Sequence, residues 1–223
     1  LFNTPHILTF VFGTTLIGLG IDYSFHFLTE SKLSILQIFV YIVSRAVLSS
    51  VVSNIKSKIK IKSVTFGQVV DFGIADVKNM GAAMAPAACD TILKHLNNMK
   101  LKVKDYDLIL TGDLGKLGSE ILVDLMERND IILGKNYADC GCVMYDKSER
   151  VFMGGSGAGC SASVFNSYVI KKLIEGKFKR VLLVATGALM STTTAQQGDT
   201  IPGIAHAVEL EYVKQKEKQN GSY

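Results

Sequence analysis

Four cysteines, Cys89, Cys140, Cys142 and Cys160, are the side chains most able to act as nucleophiles in this sequence. A thiol gains that ability when a cation, an imidazole or a helix N-terminus holds it as thiolate. Cys160 follows the glycine-rich stretch Gly154–Gly159 and opens an apolar helical pattern, so a helix dipole could activate it. Its neighbours Ala158, Ser161 and Ala162 are small, and in such a setting a cysteine packs as a small hydrophobe. Both readings of Cys160 stay open. Cys140 and Cys142 are separated by a single residue, too tight for zinc-knuckle spacing, and no CxxC pair occurs. The cysteines therefore read as reduced thiols of an intracellular protein without a metal site. His206 is the obvious candidate base, but its Ala-His-Ala setting has no Ser or Cys close in sequence. It is read first as a structural histidine.

Main-chain groups offer a second kind of chemistry. Gly154–Gly159 leads into a helix start, where free N–H groups and the helix dipole attract anions. The turn Thr111-Gly112-Asp113-Leu-Gly115, followed by Lys116, closes a buried strand, the rim where ligands bind in layered α/β sheets. Thr111, Gly112, Asp113, Lys116, Gly155, Ser156, Gly157, Cys160, Ser161 and His206 are accordingly the candidate ligand-binding residues. No residue is assigned a catalytic or metal-binding role, and no cofactor is expected. The alternative for the glycines is close packing of helix against strand.

Positioning these residues is the task of an alternating pattern of strands and helices. Apolar residues make up 48% of the 223 and charged residues 20%, ordinary for a packed protein. The net charge of +4 is modest, and the basic runs Lys56–Lys62 and Lys171–Arg180 read as solvated faces or a linker, which argues against nucleic-acid binding. Val64–Asp71 reads as a strand, and Asn79–Asn98 as a helix with Asp76 or Asn79 as its cap. Pro86 would have to fall in the first turn or mark a kink. Asp107–Thr111 is a buried strand, Ser119–Arg128 a helix, and Cys160–Gly176 a third helix stopped by Gly176. Arg180–Ala185 and Ala205–Tyr212 are the closing strands. The fold class is layered α/β, a half-domain over residues 64–212.

The preceding residues differ in kind. Segment 1–52 is strongly apolar: His6–Ile21 is nearly free of charge, and Leu33–Val43 continues the pattern after Thr29–Lys32. Each piece approaches the roughly 20 residues needed to cross a bilayer. A basic n-region and a small-residue cleavage site are lacking, which argues against a signal peptide. Gly18–His26 resembles a membrane segment of resistance-nodulation-division exporters, with Asp22 at the position of an intramembrane carboxylate. The segment reads as a membrane-associating hairpin or a foreign piece joined to the domain. Residues 53–63 form a basic linker or strand entry, and 213–223 a polar tail.

Six motifs make the half-domain specific: Asn79–Ala88, Asp105–Gly115, Asp139-Cys-Gly141, Gly154-Gly-Ser-Gly-Ala-Gly-Cys-Ser161, Ala185–Ser191 and Ile201–Val208. Together they resemble the stage V sporulation protein AD family, in the C-terminal half of a thiolase-like fold. Ala46–Ser50 resembles the end of that family's first half. Condensing enzymes of this fold use a first-half Cys with a His and an Asn from the second half. Here the corresponding strand end reads Thr111-Gly112-Asp113, the corresponding loop Gly154-Gly-Ser156, and Thr186-Gly187-Ala188 has no Cys. An ionised Asp113 cannot replace an imidazole, because it would repel a developing enolate.

The resemblance thus implies a non-catalytic sporulation protein that binds dipicolinic acid, or its calcium chelate, and assists its uptake and its release at germination. It implies a place in the forespore or spore, peripheral at the inner membrane or anchored through 1–52. The implied partners are the other membrane proteins of the dipicolinate channel complex, and an exposed half-domain surface makes a homodimer possible. Two rivals remain: an acyltransferase or condensing enzyme acting on coenzyme A thioesters through Cys160 or His206, and a membrane-exporter fragment carrying a passenger domain.

Overall fold

The computed structural model describes residues 59–145, 151–157 and 159–213. Segment 1–52 with Asp22, the Ala46–Ser50 stretch and the tail beyond residue 213 lie outside them. The described residues fold into one mixed sheet of order β1-β5-β4-β2-β3. Its strands are β1 (Ile59–Thr65), β2 (Leu108–Thr111), β3 (Tyr137–Asp139), β4 (Arg180–Ala188) and β5 (Gly203–Tyr212). Strands β4, β2 and β3 pair in parallel, whereas β5 pairs antiparallel with both of its neighbours, β4 and β1. The layered α/β class expected from the sequence is the class observed.

Helices α1 (Met80–Met99) and α2 (Gly115–Glu127) cover one face of the sheet. Ala88, Ile92 and Leu96 of α1 and Leu122 and Met126 of α2 pack there on Ile109, Leu182 and Ala207. The other face carries α3 (Cys140–Val143), α4 (Cys160–Val164) and α5 (Ile170–Ile174), with Val164, Val169 and Leu173 on Leu110, Val181 and Leu210. Strand β2 is buried along its whole length, as a strand covered on both faces must be. Each fully buried Leu or Ile here contributes about 1.5–3 kcal/mol relative to exposure. A short helix α6 (Thr192–Gln197) lies between β4 and β5 and has no counterpart in the sequence reading.

Several boundaries differ from expectation, each for a local reason. The first strand is Ile59–Thr65; of Val64–Asp71 only its start pairs, plus a bridge from Val70 to Gly203. Periodicity explains the shift, since Ile59 and Ile61 alternate with Lys60 and Lys62 on an edge strand, where lysines discourage further pairing. Neither Asp76 nor Asn79 caps α1 through its side chain; the Asp76 carboxylate instead accepts from the Lys78 amide in the preceding turn. Pro86 sits buried within α1 beyond its first turn. Helix α2 begins at Gly115 rather than Ser119, because its first amides find a carboxylate partner described below. The third helix passes from α4 to α5 through a π turn at Phe165–Val169 and is followed by Gly176 at φ 69°. Among the described residues, no helix is long and apolar enough to cross a membrane.

Candidate functional site: a carboxylate junction at the strand tips

Asp113 lies one residue beyond Gly112, past the end of β2, and ties its own turn to the glycine loop and to strand β4. Its Oδ2 accepts from the Gly157 amide at 2.9 Å and from the Ser156 hydroxyl at 3.3 Å. Thr186, near the end of the neighbouring parallel strand β4, donates its hydroxyl to Asp113 Oδ1 at 3.1 Å and accepts from the Asp113 amide at 3.1 Å. Two glycines make this possible. A Cβ on Gly112 would lie 2.5 Å from Thr186 Oγ1, so only glycine lets the threonine lie over the turn. Gly157 has φ +98°, a conformation costly for other residues, which turns its amide toward Asp113.

A second carboxylate, Asp139 at the end of β3, lies beneath this junction and is 1% exposed. It accepts from the Thr111 hydroxyl at 2.7 Å and from the amides of Leu114, Gly115 and Cys142 at 3.0, 2.9 and 3.3 Å. Asp139 therefore supplies the N-terminal acceptor for both α2 and α3, which explains why α2 starts at a glycine without its own cap. Burial raises its carboxyl above the usual range, while these four bonds work against that shift. The sequence motif Asp139-Cys-Gly141 pointed to this place, but only the fold shows the carboxylate reaching across from β3 to the β2 turn.

The expectation that the glycine turns present free amides to an acidic guest needs correction. Gly157 N–H is taken by Asp113, Leu114 and Gly115 N–H by Asp139, Gly155 N–H by the Gly141 carbonyl, Lys116 N–H by the Met153 carbonyl, and Cys160 N–H by the Gly157 carbonyl. The chain's own acceptors already occupy these donors.

The ten candidate residues separate into groups. Asp113, Gly155 and Ser156 line a cavity of about 100 Å³ at the strand tips, with Lys78 and Asn79 just before α1, Met80 and Gly81 in its first turn, and Gly118 from α2. Thr111, fully buried, serves Asp139, and Gly112 serves the packing of Thr186. Gly157 anchors the loop through its amide, and Lys116 is exposed outside the cavity lining. Ser161 is half-buried and also outside that lining. Cys160 is 2% exposed, with its sulfur 4.0 Å from the Gly112 carbonyl; burial first, then Asp113, pushes its thiol up to about 11. His206 is exposed on β5, accepts the Gly67 amide through Nδ1 at 3.1 Å and stands edge-on to Phe66, apart from the cavity. Sequence reasoning missed Lys78–Gly81 and Asp139, because neither a loop lysine nor a strand-end aspartate signals its tertiary neighbours. No cluster of metal-ligating side chains of metal-site size occurs among the described residues.

Comparisons with known proteins agree with these motifs. A model of the stage V sporulation protein AD family matches residues 38–211. Stage V sporulation protein AD of Bacillus subtilis (strain 168) is 49% identical over 161 residues, covering 72% of this chain and 48% of that protein. The chain thus spans about half the length of this relative. A tetronic acid condensing enzyme is similar in structure over 69% of this chain and 47% of its own, at 15% identity and a TM-score of 0.42. The 3-oxoacyl-(acyl-carrier-protein) synthase III of Aquifex aeolicus VF5 covers 72% and 47%, at 13% identity and a TM-score of 0.39. With the family match running across the sheet, both helical layers and the carboxylate junction, the chain belongs to the stage V sporulation protein AD family.

Proposed function

We propose that this chain is a non-catalytic spore protein that binds dipicolinic acid as its calcium chelate at the strand-tip cavity, and so assists the acid's uptake and its release at germination. The observation that carries this reading is Asp113, a carboxylate lining a cavity built from three loops at the C-terminal rim of parallel strands. With the rim amides already bonded, a free dianion would meet a like charge at Asp113 and few donors. Calcium reverses that sign, because a hard cation takes carboxylate oxygens from protein and ligand together. Lys78, which also lines the cavity, offers a cation to the outer carboxylate. The cavity of about 100 Å³ is smaller than the ~150 Å³ that encloses a benzene ring, so an aromatic diacid would lie partly in its mouth.

The thiols and the imidazole support binding over catalysis. Cys160 is buried with its thiol pushed up to about 11, which leaves it protonated at neutral pH. His206 has its Nδ1 engaged by Gly67. The protein would act at the inner spore membrane with the other membrane proteins of the dipicolinate channel complex. Exposed Phe152, Met153, Leu189 and Met190 near the junction offer an apolar surface to them or to a second copy.

Calorimetric titration of the full chain tests the reading. The calcium chelate should give saturable heat, with free dipicolinate bound at least about tenfold more weakly. Absence of saturation with either ligand at millimolar concentration would end the proposal, and so would tighter binding of the calcium-free acid.

A further inference from the structure

At the opposite end of the sheet from Asp113, a second recess has no role in the reading above. It is an open groove of about 1110 Å³ between the C-terminal part of α1, the 3₁₀ turn Val103–Asp105 and the loop that follows α2. Its floor is apolar, with Leu93, Leu96, Leu101, Val103 and Ile131. Ile132 on its rim is 74% exposed, a large apolar side chain that the isolated fold leaves in water.

The charge around this floor is one-sided. Lys94, Lys100, Lys102 and Lys104 line the groove, against the single acidic lining residue Asp130. Lys94 is paired with Asp90 at 2.8 Å, but Lys100, Lys102 and Lys104 make no ion pair among the described residues. The nearby Asp105 carboxylate accepts the Lys102 amide.

We infer that this groove docks an acidic amphipathic helix of a partner protein, its apolar stripe on the leucine floor and its carboxylates against Lys100, Lys102 and Lys104. Three features select this occupant. The volume slightly exceeds the ~300–1,000 Å³ of pockets that enclose small ligands, and the recess is open to solvent rather than enclosed. A floor set below its rim suits a rod bearing apolar residues at i, i+3, i+4 and i+7, the helix-in-groove mode, more than a flat bilayer. The lysines, lying on exposed turns, provide the complementary field that steers and orients such a helix.

The test uses the full chain and a fluorescein-labelled peptide of about fourteen residues, with leucines at that spacing flanked by glutamates. Fluorescence anisotropy should show saturable binding. An isomer with the same composition but scrambled spacing should bind at least about tenfold more weakly, and the triple variant Lys100→Glu/Lys102→Glu/Lys104→Glu should lose a similar factor. Circular dichroism would verify that the triple variant remains folded. Ile132→Asp, a change at an exposed position, gives an independent probe and should weaken the peptide several-fold. Equal binding of the scrambled isomer, or unchanged binding to both variants, would overturn the inference. Lysine-dependent binding to phosphatidylcholine vesicles containing phosphatidylglycerol, with no binding of the peptide, would overturn it in favour of a membrane surface.

Discussion

Two polar networks in this domain use similar parts to opposite ends. At the strand tips, Asp113 and Asp139 tie loops together beside a cavity. Between α1 and the sheet, His95 and Glu209 form a sealed network, 0% and 2% exposed at their side chains. His95 Nδ1 is 2.7 Å from Thr65 Oγ1 and its Nε2 2.9 Å from Tyr106 Oη, while Glu209 accepts from Ser63 at 2.6 Å and meets Arg180 Nε at 3.2 Å. In the sealed network every buried side-chain nitrogen and oxygen among the described residues has a hydrogen-bond partner within the chain. At the junction one carboxylate is sealed and the other, Asp113, stays half-exposed at a cavity wall. Buried polar groups can specify a fold in both places, but only an acceptor facing open space can add a partner.

Asp139→Ala should have the largest effect, because it removes four bonds and leaves three amides without acceptors at buried or half-buried helix starts. Loss of about 3–5 kcal/mol, read from the urea midpoint, is expected. Asp139→Asn, which keeps the shape but presents an NH₂ to some of those donors, should lose about 2 kcal/mol. If Asp139→Ala were as stable as the parent, the junction would not be what holds α2 and α3 to the sheet.

In the sealed network, His95→Ala should lose about 2–4 kcal/mol, from a cavity plus unpaired Thr65 and Tyr106 hydroxyls. The same residue gives this network a pH signature. Burial lowers the His95 pKa below its ordinary 6.5, and the attraction of Glu209 opposes that shift without cancelling it. The unfolded chain therefore binds the proton more readily than the folded one. This contribution is complete above pH 6.5 and is lost as pH falls from there toward the folded-state pKa. Urea midpoints should drop over that interval, and His95→Gln should flatten the drop.

The sealed and the open network differ in how far sequence could reach them. Binary pattern made α1 and β4 legible, because an apolar stripe such as Ala88, Ile92 and Leu96 must face a core. Motif spacing brought out Gly112–Asp113 and Gly155–Ser156. Pattern could not show that Asp139 spans from β3 to the β2 turn, since its partners lie 28, 25 and 24 residues away. Nor could it show that His95 and Glu209 meet across helix and sheet. The free-amide reading of the glycine loop failed for the same reason: the acceptors that saturate it come from elsewhere in the chain.

Asp113→Asn separates holding from binding at the junction. The amide oxygen can still accept from Gly157, while its NH₂ faces Thr186, whose hydroxyl can turn to accept, so stability should change by only about 1 kcal/mol. Loss of the negative charge should nevertheless weaken binding of the calcium chelate at least about tenfold and narrow its advantage over the free acid. A variant with unchanged affinity would place the ligand elsewhere, whatever its stability.

His206→Ala should show the smallest effect, and it marks the outer limit of the junction. The imidazole is exposed, lies outside the cavity lining and gives its Nδ1 to one amide, that of Gly67. Solvent can replace that acceptor, so the stability change should stay within about 0.5 kcal/mol. Chelate affinity measured by the same titration should remain within about twofold. A large loss of affinity would mean that the ligand bridges from Asp113 across the tip of β4 to β5. The site would then be an extended cleft rather than a cavity between β2, α1 and the glycine loop, and the contrast between an open and a sealed network would have to be redrawn with β5 on the open side.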